Sequence, residues 1–218
     1  MLNSKLRKIL QSCCEQVIWP TMDASLLMVF PLLLALPTPC HLCICKIRHP
    51  QTIYCMSDFV VIADILGPAE NTFRKRGFSI IITQTFKLPK QNTDTRHLYT
   101  PLSRTKCGYE LRTAFQSQLL IAGYVRGGKL IFTICHLVYF WYWLTRQQRL
   151  GFQSVFSRGC DCEILPCLLC WRGCPEPGPK QCAWKQRNCV YNVWEEEHSQ
   201  TFMCAPSASG RCEWTKLN

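Results

Sequence analysis

Seventeen cysteines in 218 residues carry most of the chemistry this chain has to offer. A cysteine binds metal, acts as a nucleophile or pairs as a disulfide, and spacing and redox compartment decide which. Cys167-Leu-Leu-Cys170 has the C-x2-C spacing of a zinc knuckle, so Cys167 and Cys170 are the candidate metal ligands and zinc is the cofactor to weigh. A tetrahedral site needs a second short-spaced pair, and none matches. Cys182 and Cys189 are seven apart, and His198 precedes Cys204 by six. Cys40-His41-Leu42-Cys43-Ile44-Cys45 is another ligand-rich cluster, again with no partner that spacing identifies. Unpaired thiols are the competing reading.

Other catalytic patterns are missing. There is no G-x-S-x-G and no H-E-x-x-H, and His41, His49, His97, His136 and His198 belong to no recognisable set. His136, within an apolar run, reads as a hydrogen-bonded core residue. Gly123-Tyr-Val-Arg-Gly-Gly-Lys-Leu130 meets G-x4-G-K but ends in Leu, which cannot supply the oxygen that a phosphate loop gives to magnesium. The same glycines suit a tight hairpin turn, where both central residues take positive φ. These observations point to a protein that is not an enzyme.

The formal charge is +11, from 25 Lys and Arg against 14 Asp and Glu. The basic residues are scattered. Their densest runs, Lys5-Leu-Arg-Lys8 and Arg74-Lys-Arg76, are too short for a nucleic-acid stripe, so no specific nucleic-acid signal is present and partners are unknown. Leu26–Leu36 is eleven apolar residues, the length of a secretory signal core, but its basic residues lie far upstream, Asp23 adjoins it and Pro31 interrupts it. Removing residues through Cys40 leaves 14 cysteines, an even number that disulfides accommodate. Leu130–Leu144 is apolar, with Tyr139, Trp141, Tyr142 and Trp143 crowding one end like an interfacial belt, yet its 15 residues fall short of the ~20 that span a bilayer. It is the candidate for membrane association, ahead of the uncharged stretch Ala24–Cys45, which Pro31, Pro37 and Pro39 interrupt. Localisation stays open between the secretory pathway and a membrane.

The elements that must position these residues are weakly marked. Leu2, Leu6, Ile9, Cys13 and Val17 share one face of a short N-terminal helix bounded by Pro20. Phe59–Ala63 and Phe78–Ile82 read as short strands. Thr85–Arg112 is polar and reads as a linker. Residues 118–145 form an apolar hairpin or helix around Gly127-Gly128. The tail after residue 159 holds nine cysteines and few aliphatics beyond Leu169, so without crosslinks it is expected to be disordered. The expected fold is therefore weakly defined, mixed α+β with large irregular content. Its segments are a basic amphipathic helix at 1–23, a proline-interrupted apolar segment at 24–45, a small core at 46–158 with a linker at 85–116, and a cysteine-rich irregular tail at 159–218. The expected function is that of an uncharacterised orphan without a selected activity. The alternatives are a cysteine-rich secreted or membrane-anchored protein and, after it, a zinc-stabilised basic binding module.

Overall fold

Phe59–Ala63, a short apolar run in the sequence, opens a strand nearly three times as long. In the computed structural model, which describes residues 43, 45–89, 92–110, 115–168, 174, 176–186 and 194–217, β1 spans Phe59–Thr72 and β2 spans Lys75–Lys87. They pair antiparallel from Val60↔Lys87 to Thr72↔Lys75. β3 (Asp94–Pro101) pairs with β2, β4 (Gln116–Arg126) pairs with β1, and β5 (Lys129–Ile131) joins β4 to β3, running parallel to β3. The order β1-β2-β3-β5-β4 thus closes on itself, and β6 (Leu137–Phe140) adds alongside β4. This is a five-stranded OB-like barrel, whose closure leaves few unpaired strand edges.

Side chains on β1 and β4 alternate between two cores. Phe59, Val61, Ala63 and Ile65 face the barrel interior with Leu119, Ile121, Phe78, Ile80, Leu98, Leu130 and Phe132. Val60, Ile62, Leu120 and Ala122 face outward and are covered by Ile53, Tyr54, Phe152, Val155, Phe156 and Met203. Because both faces are buried, the run shows no polar alternation in sequence. Each such side chain contributes about 1.5–3 kcal/mol on burial. Phe132 is fully buried against Phe78 and Tyr109, so its truncation to Ala costs about 3–5 kcal/mol.

The covering layer begins with α1 (Pro50–Met56). Pro50 sits at its first turn, and the Nδ1 of His49 accepts the Gln51 N–H at 3.2 Å as the N-cap. α2 (Arg146–Leu150) starts in a capping box between Thr145 and Gln148. It continues through a π turn, Gly151–Val155, and a 3-10 turn, Phe156–Gly159. The C-terminal half follows: the parallel pair β7 (Glu163–Leu168) and β8 (Gln181–Gln186), then α3 (Glu197–Thr201), then the hairpin β9 (Phe202–Pro206) and β10 (Cys212–Lys216). Its core is Cys162, Ile164, Cys182, Trp184 and Cys204.

Several expectations are corrected. The fold is mostly a β barrel rather than weakly defined α+β with large irregular content. Residues 85–116, expected as a linker, hold the end of β2, all of β3 and a crosslinked loop. The signal is hidden because only Leu98, Tyr99 and Thr100 of β3 are buried. The described residues of the tail after residue 159 are not irregular: four strands run through them, held by Cys162–Cys212, Cys167–Cys174 and Cys182–Cys204. Residues 118–145 form a hairpin, not a helix. Gly127 and Gly128 take φ of 58° and 70° between the paired Arg126 and Lys129, the turn that two glycines favour. The described residues fall in one compact unit, Cys43–Asn218. The helix expected over residues 1–19 and the stretch Leu26–Leu36 lie outside the described residues.

Candidate functional site

Two crosslinks gather three separate segments at one edge of the barrel. Cys43 bonds Cys107 across 64 residues, and Cys45 bonds Cys135 across 90. The four sulfurs lie within 4.8 Å of one another. Between the two bonds, Cys43 Sγ is 3.5 Å from Cys135 Sγ and 3.8 Å from Cys45 Sγ. By loop-closure entropy, a disulfide closing a loop of this length stabilises by roughly 4–5 kcal/mol.

Backbone hydrogen bonds shape the two receiving loops. Ser103 caps a single 3-10 turn, Arg104–Lys106, by accepting the Thr105 N–H at 3.2 Å. Cys107 follows in the left-handed region at φ 61°, and Gly108 donates to the Ser103 carbonyl at 3.1 Å. A Cβ on Gly108 would stand 2.0 Å from the Pro101 carbonyl oxygen, so only glycine fits there. In the second loop the Cys135 N–H donates to Thr133 Oγ1 at 3.2 Å, and that oxygen is 2.9 Å from His136 Nδ1. Ile134 N–H donates to the Cys107 carbonyl at 3.0 Å, joining the loops directly. The hairpin β1–β2 adjoins them, since Leu102 N–H donates to the Arg74 carbonyl at 3.2 Å.

The outer surface of this edge mixes apolar and basic groups. Leu102 and Ile134 are 44% and 48% exposed, and Phe73, at the tip of the β1–β2 hairpin, is 84% exposed. Cys45, Lys46, Arg104, Thr105 and Lys106 are also exposed. Arg104 pairs with Glu110. Burial, with Arg48 nearby, lowers the His136 pKa, which favours the neutral ring.

Behind the edge, the segment is locked to the C-terminal half. Gln51 is buried, and its Nε2 donates to the carbonyls of Gly159 at 2.9 Å and Cys204 at 2.6 Å, while Cys204 N–H donates to its Oε1 at 2.8 Å. His49 is fully buried among Trp184, Trp214 and Phe156, with ring centroids 5.1, 5.5 and 6.4 Å away. Burial, with the nearby His198, lowers its pKa to about 3. Among the described residues His49 Nε2 and His198 Nδ1 find no hydrogen-bond partner.

The sequence-derived candidates fall elsewhere. Cys167 is bonded to Cys174, and Cys170 lies outside the described residues, so the two are not seen together. Gly123–Leu130 is the β4–β5 hairpin. The pairing of Cys43 and Cys45 with Cys107 and Cys135 is not legible in the sequence. The latter two stand alone there, and no spacing rule links them to a cluster 64 or 90 residues upstream.

A closed β barrel whose Cys43 and Cys45 are crosslinked to two neighbouring loops, with four further disulfides among the described residues, has the build of a disulfide-stabilised protein of the secretory pathway. Comparison with known proteins places it further. The sequence profile described as Tissue inhibitor of metalloproteinase matches residues 41–214, and the chain belongs to that family. It is 28% identical over 199 residues to Metalloproteinase inhibitor 2 of Canis lupus familiaris, covering 84% of this chain and 86% of that protein. It is 28% identical over 181 residues to Metalloproteinase inhibitor 3 of Xenopus laevis, covering 81% and 82%. Against Metalloproteinase inhibitor 2 of Homo sapiens it is 28% identical over 193 residues, covering 84% and 86%.

The family match overturns the expectation of an orphan without selected activity. It also replaces unknown partners with a protein class, because the relatives are named for inhibiting metalloproteinases. The expectation of a non-enzymatic protein stands, because the family consists of inhibitors and not enzymes. Membrane association through Leu130–Leu144 is corrected. That stretch is divided among β5, a loop carrying Cys135, β6 and a 3-10 turn, and no helix among the described residues is long and apolar enough to cross a membrane.

Proposed function

We propose that this chain inhibits metalloproteinases and that the four-cysteine edge is the surface that enters the protease cleft. The observation that carries the reading is the double crosslink. Cys43–Cys107 and Cys45–Cys135 fix the N-terminal segment against two loops that already share a hydrogen bond. A surface fixed before binding loses little conformational entropy on binding, which is where tight inhibitors gain affinity. Leu102 and Ile134 supply exposed apolar contacts flanked by the cations of Lys46, Arg104 and Lys106.

A zinc protease keeps one coordination position open for water or substrate. The edge has no free thiolate to fill it, since its four sulfurs are all in disulfides. Backbone donors remain. The compact unit begins at Cys43, and the family match begins at residue 41. We infer that the protein is secreted and cut just before Cys43. The new α-amino group and the Cys43 carbonyl then form a donor pair for the partner's metal.

The test is titration of a zinc metalloproteinase, with cleavage of a fluorogenic peptide as readout. A chain starting at Cys43 is expected to bind one-to-one with a nanomolar constant, about −12 kcal/mol. One additional Ala before Cys43 is expected to weaken it at least about a hundredfold, roughly 2.7 kcal/mol. Absence of inhibition at micromolar chain would sink the inhibitory reading. Equal inhibition with and without the added residue would sink the amine donor alone.

A further inference from the structure

The geometry points to a second state of the same edge: with its two disulfides reduced, Cys43, Cys45, Cys107 and Cys135 form a four-thiolate site for zinc. A tetrahedral zinc thiolate has Zn–S bonds of about 2.3 Å, which sets sulfur–sulfur edges of about 3.8 Å. Two non-bonded edges already stand at 3.5 and 3.8 Å, and all four sulfurs lie within 4.8 Å. Reduction lets the two bonded pairs open towards the same separation. The remaining non-bonded pairs, within 4.8 Å, need move by no more than about 1 Å to reach it.

The frame does not depend on the sulfur bonds alone. Cys107 N–H donates to the Arg104 carbonyl at 3.0 Å, Ile134 N–H to the Cys107 carbonyl at 3.0 Å, and Cys135 N–H to Thr133 Oγ1 at 3.2 Å. The Cys43–Cys45 segment is anchored from the other side by the buried His49 and Gln51. A tetrathiolate zinc centre carries two negative charges, and Lys46 and Lys106 adjoin the ligands in sequence with Arg48 three residues from Cys45, lowering the cost of four thiolates. Soft sulfur ligands select zinc over magnesium or calcium.

The steps balance. A dithiol reductant passes two electrons and two protons to each disulfide and closes to its own disulfide. Zn²⁺ then displaces the four thiol protons and forms four Zn–S bonds. One metal thereby replaces two crosslinks, and an edge opened by reduction is held in shape. This site owes nothing to the inhibitory reading, and its success or failure leaves that reading untouched.

The test uses the full chain, reduced anaerobically with dithiothreitol and loaded with Co²⁺ as a spectroscopic substitute for Zn²⁺. One cobalt per chain with sulfur-to-metal charge-transfer and tetrahedral d–d bands is expected. Zinc loading followed by alkylation and peptide mapping should show Cys43, Cys45, Cys107 and Cys135 modified at least about tenfold more slowly than in metal-free chain. The Cys45→Ser, Cys135→Ser double variant should lose the bands, and Cys167→Ser, Cys174→Ser should keep them. Protection spread evenly over Cys162, Cys182, Cys204 and Cys212 would mean loose binding by an unfolded chain and would overturn the proposal. So would cobalt binding that survives loss of the edge cysteines, or no binding at all.

Discussion

Acid should loosen this protein through His49. The ring is fully buried among Trp184, Trp214 and Phe156, and its pKa falls from 6.5 to about 3. Desolvation is the main cause, because a charged imidazolium in an aromatic box loses its water and finds no counter-charge. His198, on α3, adds like-charge repulsion, and its own pKa is also lowered by burial. The direction follows from linkage. Below 6.5 the unfolded chain takes up a proton that the folded chain refuses until about pH 3. Stability is therefore whole above the unfolded value and drains away as pH falls. For a folded pKa near 3, the loss relative to pH 7 is about 2 kcal/mol at pH 5 and about 3 kcal/mol at pH 4. With His49 fully buried, solvent screening does not reduce these figures. The assay is urea unfolding of wild type and His49→Asn at pH 7, 6, 5 and 4. Asn keeps an acceptor for the Gln51 N–H but does not titrate. The variant is less stable at pH 7, because a cavity replaces the ring. Carboxylates titrate in both chains and cancel in the difference. The wild type should lose about 2 kcal/mol more than the variant between pH 7 and 5. Equal slopes would refute the account of His49 as a buried neutral group.

Three other predictions rest on single contacts. Gln51→Leu removes three buried hydrogen bonds to Gly159 and Cys204; Gly159 keeps the Cys162 N–H on its carbonyl, but the Cys204 N–H and carbonyl lose these partners, so chemical denaturation should show a loss of about 3 kcal/mol or more. Gly108→Ala drives a methyl into the Pro101 carbonyl and displaces the loop that carries Cys107. Inhibition of a metalloproteinase should weaken more than the melting temperature falls, and a change confined to the melting temperature would count against the loop's placement at the site. Loss of the Cys45–Cys135 bond in the Cys45→Ser, Cys135→Ser variant should lower stability by about 4–5 kcal/mol by thermal melting, with Cys43–Cys107 still formed by peptide mapping.

The strands are legible in the sequence where residue type alone suffices. Phe59–Ala63 and Phe78–Ile82 are β-branched and aromatic, and both lie inside observed strands. Gly127-Gly128 marks its turn because few other residues accept positive φ twice in succession. β3 escapes notice because Thr95 and Arg96 are exposed and its buried contacts are supplied by neighbours distant in sequence. The tail misleads for a related reason. Its composition lacks aliphatics, and Trp184 with Cys162, Cys182 and Cys204 fills the place that leucines take elsewhere. Cysteine is ambiguous in this way: unpaired it is a reactive thiol, paired it is core and crosslink together. The four-cysteine edge depends on that ambiguity most. Cys43 and Cys45 look like half of a metal site in the sequence, and in the structure each is bonded to a distant cysteine that spacing cannot find. Cys107 and Cys135 lie on loops brought together by barrel closure, and closure depends on β1 meeting both β2 and β4. A sequence specifies such a site only through its whole fold: the loops carrying Cys107 and Cys135 follow β3 and β5, which lie side by side in the closed barrel though about 30 residues apart in the chain.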